Sequence, residues 1–179
     1  MIGMVTRLVD AKGLELLVRI MDELLASEKV QFVLLGTGDK RYEDWFQGLQ
    51  WRFPNKVSAN IRFSNKLAQQ IYASSDIFLM PSVYEPCGIG QLIALRYGTI
   101  PLVRATGGLK DTVIPYNKFT GEGNGFIFDN INAHDMLFVA KQAIECYNNP
   151  AIWKSLINNA ITSDYSWKKS ALEYIDRYN

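Results

Sequence analysis

The chain has one histidine, His134, and two cysteines, Cys87 and Cys146, in 179 residues. A single imidazole argues against a histidine-built zinc site and a Ser-His-Asp triad. Two cysteines are too few for a disulfide framework, and these two lack the spacing of a metal-binding pair. Charge of one sign is also lacking. Nineteen Lys and Arg against 18 Asp and Glu leave a formal net charge of +1, which argues against a long basic surface for nucleic acid but allows a local basic pocket. No apolar run approaches the ~20 residues of a membrane span, and no signal-peptide pattern opens the chain. The expectation is a cytoplasmic protein with neither nucleic acid nor membrane as a partner. Internal repeats and low-complexity segments are absent as well.

What is present is globular. Hydrophobic residues make up 48% of the chain and charged residues 21%, and this length suits one domain with its own core. Met1 to Thr6 reads as a buried strand from its first residue, which suggests a chain cut from a longer one. From there apolar runs alternate with helical stripes. Leu14, Leu17, Val18, Met21, Leu24 and Leu25 follow the i, i+3, i+4, i+7 spacing of one helix face. Strands are expected at Ile2–Thr6, Val30–Leu35, Val57–Phe63, Asp76–Met80, Ile100–Val103 and Phe126–Phe128. Helices fall between them, and three more close the chain, the last at Ser166–Tyr178. This alternation predicts an α/β fold: a Rossmann-like, doubly wound parallel sheet of about six strands with helices on both faces. Such sheets bind ligands beyond the carboxyl ends of their strands.

The loops at those ends carry the unusual residues. Arg7 and Lys12 lie between the first strand and the first helix, where two cations beside helix N–H groups make a diphosphate clamp; two solvated loop cations are the alternative. Gly36 and Gly38 let backbone approach a ligand or simply make a turn. They form neither G-x-G-x-x-G nor a Walker loop. Glu85 stands at a strand end before Pro86, followed by Gly88 and Gly90 as a helix starts. A carboxylate beside free N–H donors suits a ligand with both hydroxyls and anionic oxygens, such as a glycosyl diphosphate; a helix-capping role is the competing reading. Cys87 has no cation near it in sequence to activate it and reads as a packing residue. Gly107 and Gly108 form a further turn or donor site. Phe63, at the end of the third strand, is placed either to stack on a base or to fill the core.

Thr6-Arg7-Leu8 with Lys12-Gly13-Leu14, Leu35-Gly36-Thr37-Gly38-Asp39, Pro81-Ser82-Val83-Tyr84-Glu85-Pro86-Cys87-Gly88 and Arg104-Ala105-Thr106-Gly107-Gly108-Leu109 occur in this order. In order and spacing they resemble the C-terminal half of bacterial glycogen synthases and plant starch synthases. The resemblance covers nearly the whole chain, and its Glu-Pro-Cys-Gly block together with the Arg-Ala-Thr-Gly-Gly-Leu block is highly specific. It implies the C-terminal half of a GT-B glycosyltransferase, in which two Rossmann-like domains face a cleft. Residues 1–179 would form the donor-binding domain. The terminal helix within 163–179 would pack on an N-terminal domain of the same polypeptide, one that also supplies acceptor surface.

The implied reaction is retaining transfer of glucose from ADP-glucose to the non-reducing end of an α-1,4-glucan. ADP-glucose and ADP serve as substrate and product, with no separate cofactor and no metal. By matching motif, Arg7, Lys12 and Glu85 are the catalytic residues. The two cations hold the diphosphate and Glu85 holds the glucose hydroxyls. Cys87 and Gly88 assist through backbone N–H groups, Gly90 and Gln91 lie at the helix that faces the distal phosphate, and Phe63 lies over the adenine. Gly36, Gly38, Gly107 and Gly108 complete the substrate-binding set. Two departures from the pattern stand out. Ile93 occupies the position of the second glutamate of an E-x7-E pair, and Gly90 stands where a hydroxyl residue is expected. Other nucleotide-sugar transferases and a non-catalytic nucleotide-binding module remain as competing readings. A nicotinamide oxidoreductase is disfavoured by the missing glycine fingerprint.

Overall fold

Short apolar strands followed by helices with one apolar stripe recur along the chain. The computed structural model, which describes residues 1–178 apart from the side chain of Glu173, turns that recurrence into β1 (Ile2–Val5), α1 (Leu14–Ser27), β2 (Phe32–Leu35), α2 (Lys40–Arg52), β3 (Val57–Asn60), α3 (Asn65–Ser74), β4 (Ile77–Met80), α4 (Gly90–Tyr97), β5 (Ile100–Arg104), α5 (Gly107–Thr112), β6 (Phe126–Phe128), α6 (Ala133–Tyr147), α7 (Pro150–Thr162) and α8 (Trp167–Tyr178). A single 3-10 turn, Asp10–Lys12, precedes α1. Asn179 lies outside the described residues.

The six strands form one sheet in the order β3-β2-β1-β4-β5-β6, every neighbouring pair parallel. The order reverses between β1 and β4, which makes that boundary the switch point of a doubly wound sheet. The hydrogen-bond register there is short. β1 pairs with β2 through all four of its residues, but with β4 only through Ile2↔Ile77 and Gly3↔Phe78. The carboxyl ends of β1 and β4 therefore part and leave a crevice.

The helices cover the sheet for the reason their sequences suggest. α1 buries Leu14, Leu16, Leu17, Ile20, Met21, Leu24 and Leu25, each leucine worth about 1.5–3 kcal/mol when removed from water. It packs on α2 and α6, while α3 and α7 pack on α4. Local signals set the ends. Ser64 Oγ accepts from Leu67 N to cap α3, Asn132 caps α6, and Asn149 with Pro150 opens α7. Gly98, in the left-handed region at φ 76°, closes α4.

The third strand is shorter than its sequence predicts, ending at Asn60 instead of Phe63. The chain turns there because Arg62 N bonds back to Asn60 O and Ser64 is already committed to capping α3. Phe63 consequently stands in the turn with 84% of its surface exposed, so it is not a core residue. The terminal helix α8 leaves Trp167 and Tyr178 almost fully exposed and Leu172, Tyr174 and Ile175 more than half exposed. Among the described residues no helix is long and apolar enough to cross a membrane.

Candidate functional site

The crevice at the switch point holds a cavity of about 410 Å³, within the usual range for small-molecule sites. Its walls come from the parted strands and the loops that leave them: Met4 to Arg7 with Lys12 on one side, Leu79 to Ser82 with Glu85 on the other. Gly88 and Ile89 lead into α4 at Gly90, and Tyr72 of α3 completes the wall.

Lys12 and Glu85, separated by 73 positions in sequence, meet across this crevice. Lys12 Nζ donates to Glu85 Oε2 at 2.5 Å, and both side chains are mostly buried. Ser82 Oγ donates to the same oxygen at 3.1 Å. Glu85 Oε1 takes no hydrogen bond from any described residue, so one carboxylate oxygen is anchored while the other remains available to a ligand hydroxyl. An ammonium has three donors, and Lys12 keeps the remainder for an anion. Arg7 lies exposed at the same rim and forms no ion pair among the described residues.

Backbone geometry brings these groups together. Gly13 has φ +69°, and a Cβ there would stand 1.9 Å from Pro81 O. Only glycine lets the Lys12 turn sit directly on the strand-end loop of β4. Val83 N donates to Ala11 O at 2.9 Å and joins the two loops. Arg104, at the end of β5, donates to the carbonyls of Ser82, Val83 and Asp129. Its planar fork of donors fastens the Glu85 loop from beneath. Sequence reading did not single out Ser82 or Arg104 as site residues. The strand-end rule was the signal that would have found both.

Several expected contacts are instead supports. Gln91 is fully buried, and its Nε2 donates to Cys87 O, Gly88 O and Thr112 Oγ1. The side chain faces inward, because α4 turns it under the Pro86–Ile89 loop. Its Oε1 is buried without a partner among the described residues. Gly107 and Gly108 do not line the cavity. A Cβ on either would stand 2.1 Å from Glu85 O or Cys87 O respectively, and Gly108 N donates to Pro86 O. They form the shelf on which the Glu85 loop rests.

Gly36 and Gly38 likewise pack against Thr6 O and Leu8 O. Together with Leu8 N→Thr37 O and Asp39 N→Leu8 O they extend the pairing of the two chain segments past β1 and β2, which holds the Arg7 loop in place. Cys87 is exposed and also outside the cavity wall. Gly88 and Gly90 do line it, at the start of a helix whose N-cap, Ile89, supplies no side-chain bond. The first amides of α4 are thus left for solvent or an anion. Phe63 is exposed and does not line the cavity.

Six parallel strands, a crevice at the reversal of strand order and a cation–carboxylate pair across it define a ligand-binding site of the kind a doubly wound sheet places at its switch point. The family model for glycosyl transferases group 1 matches residues 1–161, and the chain belongs to that family. It is 59% identical over 178 residues to a glycogen synthase of Clostridium perfringens, and 56% identical over its whole length to one of Clostridium novyi. In each case it spans about 37% of the relative's length. Among solved structures, the catalytic domain of starch synthase IV from Arabidopsis thaliana, bound to ADP and acarbose, superposes with a TM-score of 0.88 at 34% identity. That match covers 99% of this chain and 37% of the plant chain.

Proposed function

We propose that this chain is the ADP-glucose-binding part of a retaining glycogen synthase. Its crevice would hold the diphosphate and the transferred glucose while an N-terminal domain of the same polypeptide presents the α-1,4-glucan. The observation that carries the reading is the Lys12–Glu85 pair across the switch point, with one carboxylate oxygen free and Arg7 beside it. The identity with glycogen synthases and the likeness to an ADP-bound starch synthase domain support it.

In the proposed reaction the bond between glucose C1 and the β-phosphate oxygen breaks, and its electron pair leaves with ADP. The acceptor hydroxyl oxygen of the glucan bonds to C1, and its proton passes to the departing phosphate oxygen. Negative charge grows on the diphosphate as positive character grows at C1. Arg7, Lys12 and the amides opening α4 offset the growing negative charge. These donors are already oriented, which is where electrostatic catalysis gains most. A guanidinium and an ammonium carry that charge without proton transfer, so no cofactor enters the proposal. Glu85 Oε1 accepts from glucose hydroxyls and holds the ring in line while Oε2 stays fixed by Lys12 and Ser82. Phe63, exposed at the same edge, offers a face for the adenine. The apolar side of α8 is assigned to the N-terminal domain.

The test is incorporation of radiolabelled glucose from ADP-glucose into glycogen by the full-length protein, with UDP-glucose and GDP-glucose in parallel. Incorporation from ADP-glucose above the other donors is expected, together with none by residues 1–179 alone. A preference for another nucleotide would reassign the donor. Turnover by the isolated 179 residues would remove the need for the second domain.

A further inference from the structure

One wall of the crevice presents a hydroxyl to the cavity that has no hydrogen-bond partner among the described residues. Tyr72, in the last turn of α3, packs in a small cluster with Phe78 of β4 and Ala94 of α4. Its ring lies tilted on that of Phe78 with centroids 4.6 Å apart. Tyr72 is 7% exposed, yet its Oη makes no hydrogen bond to any described residue. The ring is buried while the hydroxyl opens onto the cavity, where a ligand can reach it. The side chain lines the cavity, and its Oη is 3.3 Å from where a Cβ on Gly90 would stand. Gly90 is the first residue of α4, whose N-cap residue offers no side-chain bond. A hydroxyl side chain at position 90 would occupy the space the phenol now faces.

We infer that the Tyr72 hydroxyl donates a hydrogen bond to the anionic oxygen bound at the start of α4, the distal phosphate of a nucleoside diphosphate. Tyr72 thereby supplies the hydroxyl that Gly90 lacks. The inference rests on the crevice being a diphosphate site, as proposed above. Burial pushes the Tyr72 phenol up from its usual pKa, which keeps the group a proton-bearing donor at neutral pH. The phenol enters from the α3 side, whereas Lys12 and Glu85 enter from the loops after β1 and β4. The distal phosphate would then be gripped from two directions.

The experiment is titration calorimetry of the full-length Tyr72→Phe protein with ADP and with AMP, alongside a thermal melt. Loss of one hydrogen bond to a charged group predicts roughly tenfold weaker ADP binding, with AMP affinity unchanged because AMP lacks the distal phosphate. Adding Gly90→Ser to Tyr72→Phe places a hydroxyl in the vacated space and should recover most of the lost ADP affinity. Equal ADP affinity in Tyr72→Phe and the unmodified protein would overturn the inference. So would a parallel loss for ADP and AMP, which signals a packing effect. Failure of the unmodified protein to bind ADP at all would instead overturn the diphosphate reading on which the inference stands.

Discussion

Two charged clusters stand at the same edge of the sheet and differ in everything except charge. Lys12 and Glu85 meet across the switch point with side chains only 18% and 12% exposed, and Ser82 adds a third bond. A short distance along the β1 loop, Arg41 pairs with Asp10 and Glu15, all three largely exposed, above the buried ring of Tyr42. Tyr42 Oη donates to Asp10, which together with Arg41 draws the Asp10 carboxyl below its usual pKa, while burial raises the phenol. Water screens the second cluster, so it contributes little. The first lies where two strands part, on a cavity, with donors left over. Burial and unused hydrogen-bonding capacity, more than the count of charges, distinguish a site from a surface.

The largest expected effect breaks the first cluster. Lys12→Ala in the full-length protein should weaken ADP binding by about 2–4 kcal/mol, the usual cost of truncating one partner of a buried charged contact. Arg41→Ala should leave ADP affinity unchanged. Calorimetry on the two variants decides whether burial separates the clusters as described, and equal losses would erase the distinction.

Glu85→Ala sharpens the comparison from the carboxylate side. With Oε1 free for sugar hydroxyls, ADP-glucose should lose about 1.5–3 kcal/mol of binding, as for hydrogen bonds to a charged group, and ADP much less. Equal losses for both ligands would mean that Glu85 serves only to position Lys12.

Gln91→Ala addresses the supports beneath the site. Removing Nε2 leaves the carbonyls of Cys87 and Gly88 without that donor, so folding stability should fall by roughly 1–3 kcal/mol in a denaturant titration. ADP affinity measured well below the melting temperature should change little. A pronounced affinity loss without destabilisation would restore Gln91 as a direct ligand contact.

The smallest effect belongs to a surface pair remote from the crevice, Lys141 with Glu23. Lys141→Ala should leave both the thermal midpoint and ADP affinity close to those of the unmodified protein. A marked drop in either would show that exposed pairs matter here more than screening allows.

The order of strands and helices follows from periodicity alone, because each apolar run or stripe needs a neighbour to bury against. The blocks around Arg7, Lys12 and Glu85 were legible for a related reason. They interrupt that periodicity at strand ends, where the polar residues have no part in the core. The shift of Phe63 off β3 and the inward turn of Gln91 were not legible. Each depends on which partner a neighbouring segment has already taken: Ser64 capping α3 in one case, the carbonyls of Cys87 and Gly88 in the other. Local sequence therefore determined which elements form and which loops carry charge. Only the tertiary structure decided that β1 and β4 part after Gly3 and Phe78, that Lys12 meets Glu85, and that the hydroxyl of Tyr72 faces the space above Gly90. Those contacts join residues distant in the chain, and their geometry is set by how closely backbones approach once the whole sheet has assembled.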